Sequence, residues 1–407
     1  NMTVAIIGCG SSGSAIASQM IYEEDIEKIK LMDIDANKSS ILSVELSKIN
    51  PKIDIESHQI NANNTNELIS LFEDVRIVIN AASPVYNIPI MKACIKTKTN
   101  YIDLGSDPFK YESIQGETSI DDQLPYDELF RKNNLIALTN AGASPGFSDC
   151  LCRHAAETNQ FKSLESVKIY FSEKIESDVF ISSWSPYILL LESLLPATIY
   201  KNNTIHTLSN SKRRKKVNLP NPFGQTEITL FNGHPELRTI PQFLNIPVSY
   251  VEVGGSIVLN EMNLDEIILE SLRRKINDDI LFNGDIFEQL SSSFEYTNEF
   301  VNYFEQGNIK KEILFCFTEI VGKRNNERIL YTASTTVDLC KIHKTSPFSS
   351  ATSYMVSVIP TLVTRKILKN TLDDVGVLAP AALEFSSELI DLSKKFNINF
   401  KEEKKVL

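Results

Sequence analysis

The 407-residue sequence is poor in tryptophan, histidine and cysteine, with one, five and six of them. Six scattered cysteines cannot make a dense disulfide framework, and Cys150-x-Cys152 has neither zinc nor redox spacing. Reduced thiols, a cytoplasmic location and no bound metal are expected. Long apolar runs are also missing. The longest stretch free of charge and histidine, Thr345 to Thr364, holds nine Ser or Thr residues and two prolines, which excludes a membrane span there. Positive charge is in deficit. Lys plus Arg number 41 against 52 Asp plus Glu, a formal net charge of −11, which argues against wrapping nucleic acid or docking on anionic lipid. The basic run Lys212-Arg213-Arg214-Lys215-Lys216 has no interleaved aromatic residue and reads as a solvated loop. Met2-Thr3-Val4 enters an apolar run directly, so no signal peptide is expected.

What is present is a change of grammar along the chain. Up to about residue 140, apolar runs such as Val4 to Ile7, Ile29 to Met32, Val75 to Ile79 and Leu135 to Leu138 alternate with helical patterns. Strand and helix repeated in this way predict an α/β fold, an N-terminal Rossmann domain with a doubly wound parallel sheet. From about 160 the strands follow one another, and Lys323-Arg324-Asn325-Asn326 suits a hairpin turn. This predicts a second, α+β domain with a mixed sheet and a helical insert near 262–305, inserted before C-terminal helices. The expected boundaries are 1–146 for the dinucleotide domain, 147–346 for the substrate and dimerisation domain, and 347–407 for helices that return to the first domain. The apolar stripe from Tyr354 to Ile367 suits core or the contact of a homodimer.

Gly8-Cys9-Gly10-Ser11-Ser12-Gly13 follows the first apolar run and opens a helical pattern. Gly8 suits the tight turn, Gly10 a close approach of backbone to a pyrophosphate, and Gly13 the packing of helix on strand. Backbone N–H groups at the start of the helix then face the diphosphate. Asp33 stands twenty residues beyond Gly13, at the end of the second run, where a carboxylate accepts from ribose hydroxyls and repels a 2′-phosphate. That favours NAD, with NADP left open by nearby Lys38.

Three further segments resemble the saccharopine dehydrogenase family: Asn80-Ala81-Ala82-Ser83-Pro84, Tyr101-Ile102-Asp103-Leu104-Gly105-Ser106-Asp107 and Ala141-Gly142-Ala143-Ser144-Pro145-Gly146. In the middle of the chain, Ser183-Trp184-Ser185-Pro186, Pro220-Asn221-Pro222-Phe223-Gly224 and Gly233-His234-Pro235-Glu236 resemble its lysine ε-dehydrogenase branch. The resemblance implies that Asn80, Ala81, Ala82, Ser83 and Gly142 line the nicotinamide side of the cofactor. It also implies oxidation of a C–N bond, or reduction of an imine, on an amino-acid-like or polyamine substrate. Lysine ε-dehydrogenase-like deamination ranks ahead of saccharopine formation and carboxynorspermidine synthesis.

Such chemistry needs a group that exchanges a proton near neutrality and a cation for a carboxylate. Asp103, just past a strand end, is one candidate for the proton, although it could equally cap a turn. His234 is the other, with a hydrogen-bonded loop histidine as its alternative. Asp107, Trp184 and Arg238 are candidate substrate contacts. A competing reading is a catalytically inactive regulatory protein that senses NAD(P) through the same loop.

Overall fold

The computed structural model describes residues 2–106, 120–179, 181, 183, 196–221, 223–263 and 300–407. The first sheet contains β1 (Thr3–Ile7), β2 (Lys28–Asp33), β3 (Asp54–Gln59), β4 (Ile77–Asn80), β5 (Asn100–Asp103) and β6 (Ile136–Leu138). Helices α1 (Ser11–Met20), α2 (Ala36–Ile49), α3 (Thr65–Phe72) and α4 (Asn87–Thr97) cover it. Every residue of β1 is buried, as a central parallel strand with helices on both faces requires. Strand β3 is polar and half-exposed because it is the edge, which keeps it out of any apolar pattern.

Helix α5 (Phe147–Thr158) leads into a second sheet that has ten strands among the described residues. These are β7 (Ser163–Ser177), β8 (Thr198–Lys201), β9 (Thr204–Thr207), β10 (Arg214–Leu219), β11 (Gly224–Leu230), β12 (Tyr250–Leu259), β13 (Met262–Asn263), β14 (Ile309–Arg324), β15 (Glu327–Asp338) and one later strand. Pairing is mixed: β7 and β12 are parallel, and β14 lies antiparallel to both β7 and β15. The turn falls at Asn325-Asn326, and Asn325 takes a φ of 54°, the left-handed region that a two-residue hairpin turn demands. Lys212 to Lys216 is a loop only in part, because Arg214 to Lys216 belong to edge strand β10. The helix expected near 262–305 lies mostly outside the described residues, with Phe300–Glu305 helical at its end.

After α6 (Glu236–Phe243), the chain's main later helices are α7 (Ala351–Leu368) and α8 (Ser386–Ser393). Ser350 and Ser353 form a capping box at the start of α7, and most of its residues are buried. This helix touches α1 on one side and β14 and β15 on the other, so it joins the two sheets. The C-terminal region is not all helix, however. β16 (Gly376–Leu378) adds parallel to β6 as the seventh strand of the first sheet, in the order β16-β6-β5-β4-β1-β2-β3. β17 (Asn399–Val406) pairs antiparallel with β15 at the edge of the second sheet. Most of its Lys and Glu side chains face solvent, as befits a protected edge, while Glu402 accepts from Tyr331 and pairs with His154. Among the described residues, no helix is long and apolar enough to cross a membrane.

Candidate active site

The turn from β1 to α1 is shaped by contact rather than by taste for glycine. Gly8 has a φ of +91°, and a Cβ there would lie 2.7 Å from the Ala82 nitrogen. A Cβ on Gly13 would lie 1.7 Å from the Gly8 carbonyl oxygen. Gly10 is the N-cap of α1, and no side chain caps it, so the first-turn N–H groups face outward with the positive end of the helix dipole. The residues present fit a dinucleotide diphosphate. Ser11 and Ser12 are half-buried at the same turn. Asp33, at the end of β2, accepts from the Cys9 N–H at 2.7 Å and from the Asp35 N–H at 2.9 Å. Its carboxylate therefore braces the loop from the end of β2. Burial and the neighbouring Asp33 push the Cys9 thiol up to about 12, so it stays neutral.

The next strand ends are knitted together. Asn80 accepts from the Ala82 N–H at 3.1 Å and donates to the Asn87 Oδ1 at 2.7 Å. Tyr101 donates to the same oxygen, and Asn87 donates to the Gly105 carbonyl. Ala81 and Ala82 are half-buried and Ser83 is exposed beside Pro84.

Asp103 differs from expectation. It is 1% exposed, and its two oxygens accept from the Gln123 side chain and the Asn140 N–H, each at 2.7 Å. Burial pushes its carboxyl up to about 6, against the hydrogen bonds from Asn140 and Gln123. The geometry gives it the anchoring of the turn after β6, the other role open to a carboxylate at a strand end.

That segment, 139–148, is gripped again farther along. Gly142 is buried, and a Cβ there would lie 3.1 Å from the Pro145 carbonyl oxygen. Ser144 and Ser148 both donate to Glu236 Oε1, at 2.5 and 2.8 Å. Glu236 opens α6 in the second domain, and its other oxygen pairs with His234 Nδ1. Behind it lies Asp149, which accepts from Thr239 at 2.5 Å and from the Gly146 N–H at 3.2 Å. Burial pushes Glu236 up, but the His234 ring and the hydrogen bonds from His234, Ser144 and Ser148 outweigh it and hold the carboxylate ionised. Asp149 goes the other way: burial, then the Glu236 charge, push it up to about 7. A small cavity opens beside the serines, walled by Phe147, Leu151, Phe171 and Cys316.

With this geometry in hand, the likeness to known proteins can be placed. Residues 4–138 match the family model described as saccharopine dehydrogenase NADP binding domain. Over those residues the chain is similar to the saccharopine dehydrogenase family. Carboxynorspermidine synthase from Vibrio cholerae serotype O1 is 24% identical over 279 residues, and the match spans 65% of either chain. Two solved structures share the fold through both domains. Saccharopine dehydrogenase (L-Glu forming) from Saccharomyces cerevisiae covers 99% of both chains at a TM-score of 0.64 and 16% identity. The homospermidine synthase of Legionella pneumophila, in complex with NAD, covers 99% of this chain and 91% of its own at 0.72 and 15%.

The fold thus brings His234 against the strand-end segment of the first domain, while Asp103 lies beneath that segment. Arg238 is half-buried and donates to Asp121 at 2.9 Å, an ion pair between the domains that a substrate carboxylate would have to displace. Asp107 and Trp184 lie outside the described residues. Glu236, Asp149, Ser144 and Ser148 escaped the sequence reading as site residues. The His-Pro-Glu triplet was the available signal, since a Glu beside a His at a helix start is a ready partner for the ring.

Proposed function

We propose that this chain is an NAD(P)-dependent oxidoreductase acting on a C–N bond of an amino-acid or polyamine substrate held between the two domains. One observation carries this reading: segment 139–148 leaves the same edge of the first sheet as the dinucleotide loop, with β4 and β5 between them, and also holds the carboxylate that pairs with His234. The dinucleotide would be held by Gly8, Cys9, Gly10, Ser11, Ser12, Gly13 and Asp33, with Asn80 to Ser83 and Gly142 toward its reactive end. When bound, it supplies or accepts hydride.

The chain's own residues handle the proton and exclude water. His234 gives a proton to the substrate nitrogen in one direction and takes it in the other, the task for which an imidazole is suited near neutral pH. Asp103 holds the turn that shapes the site. The second domain covers the strand ends, and removal of water from that space strengthens every charge interaction inside it. The relationship to carboxynorspermidine synthase moves a polyamine ahead of lysine as the substrate class. Six cysteines without a disulfide suit the cytoplasm, and a homodimer remains part of this reading.

The test is consumption of NADH or NADPH with diamines and carbonyl partners, alongside reduction of NAD or NADP by lysine and polyamines. Turnover on at least one amine is expected. Tight dinucleotide binding with no turnover across the panel would overturn the proposal in favour of a sensor.

A further inference from the structure

We infer that Glu236 is the positioning residue for His234, and that it ties the ring's proton to the seating of the second domain on the dinucleotide domain. This rests on the reading that His234 moves the substrate's proton. The observation is a carboxylate shared between domains. His234 and Glu236 come from the start of α6, Ser144 comes from the segment after β6, and Ser148 stands on α5 just past the domain junction. Glu236 is fully buried and His234 is 6% exposed.

Burial drives a carboxylate toward its neutral form, and it raises neighbouring Asp149 even though Thr239 and the Gly146 N–H donate to it. Glu236 keeps its charge because the imidazole lies on one oxygen and two hydroxyls lie on the other. The arrangement is reciprocal: whatever stabilises the anion also stabilises the protonated ring. Nδ1 is committed to Glu236, which fixes the ring orientation, so exchange with substrate must run through Nε2. The other groups around this pair are Asp149 and Cys152 on α5, both in electrostatic contact with the cluster, and the Phe231 ring stacked 5.7 Å from the imidazole. Both thiol and phenyl are neutral, since burial pushes Cys152 well up. Lifting the second domain would withdraw Ser144, hydrate the carboxylate and weaken its hold on the ring's proton. The proton would thus be held most firmly when the domains are seated.

The test is a histidine NMR titration of the full chain without substrate, His234 being assigned by the signal lost in His234→Gln. In Glu236→Gln, the ring should bind its proton about tenfold more weakly, roughly one pH unit lower than in the parent. The double change Ser144→Ala with Ser148→Ala keeps the glutamate but removes its holders, and should shift the titration the same way by less. It decides the matter if Glu236→Gln does not fold. Glu236→Asp, which keeps the charge on a shorter arm, should restore part of the shift. In the imine-reducing direction Glu236→Gln should lower kcat about tenfold with the KM for dinucleotide near the parent value. Identical titrations in the parent and every folded variant would overturn the inference, even if amines turn over. The expected titration shift with no turnover on any amine would instead uphold the positioning role and defeat the proposed reaction.

Discussion

The dinucleotide loop and the seam between domains meet at the same edge of the parallel sheet, yet they are held by different forces. Around Gly8 and Gly13 the determinants are steric and backbone: two glycines with no room for a Cβ, and N–H groups left to a ligand. Around Glu236 the determinants are side-chain charge and hydrogen bonds, drawn from positions some ninety residues apart. The first arrangement should therefore ignore pH and resent bulk, whereas the second should respond to charge.

The largest expected effect is on the seam. Glu236→Leu removes the acceptor of His234, Ser144 and Ser148 together. Breaking a buried ionic network from one side costs about 3–5 kcal/mol. Denaturant unfolding of parent and variant measures this, and a loss below about 1 kcal/mol would mean that the cluster contributes little. Next comes the loop. Gly13→Ala places its new carbon against the Gly8 carbonyl, and should weaken either dinucleotide on the order of a hundredfold, about 2.8 kcal/mol. Titration at several pH values should give the same ratio each time. A ratio that changes with pH would break the contrast between the two regions.

The seam's dependence on pH has a definite sign. Asp149 is raised to about 7 and Asp103 to about 6, so the folded chain binds protons that the unfolded chain releases above about 4. Stability from these two acids is complete below that range and falls as pH rises, from about 4 to 6 for Asp103 and on to about 7 for Asp149. Glu236 runs oppositely, since its depressed value gives stability above the ordinary carboxylate range that is lost on acidification. Asp149→Asn should flatten the fall between about pH 6 and 7 and leave the lower part due to Asp103. The change across the whole window should amount to several kcal/mol, read from unfolding curves. An unaltered slope in the variant would assign that proton to some other group.

How far each region could be read from the chain follows from the same difference. The loop is contiguous, and its glycines carry their reason with them, so six residues and a downstream Asp suffice. The β14–β15 hairpin is legible for the same reason, through Asn325. The seam is not contiguous. His234 stands out by rarity, but Ser144, Ser148 and Asp149 acquire meaning only when α6 is laid against α5. For Asp103 the chain leaves proton transfer and turn capping both open, and nothing in the local pattern shows Gln123 folding over it. β17 falls where only helices are expected, because its charged run carries no apolar alternation although its backbone is paired with β15.

The smallest expected effect tests where the two kinds of force overlap. Asp33 is a charged side chain within the steric region; it accepts from the Cys9 and Asp35 backbone at the end of β2, where we propose that the ribose binds. The parent chain should prefer NAD to NADP, because a carboxylate there repels a 2′-phosphate. Asp33→Ala removes both the ribose acceptor and the brace on Cys9. NAD should then bind about tenfold more weakly, close to 1.4 kcal/mol. NADP should change less, since loss of the brace is offset by loss of repulsion. Calorimetric titration of both dinucleotides against parent and variant separates the contributions. If NAD and NADP weaken equally, Asp33 acts only as a brace on the loop. If the parent binds NADP as tightly as NAD, the preference drawn from this residue is wrong, while the steric account of Gly8 and Gly13 stands unaffected.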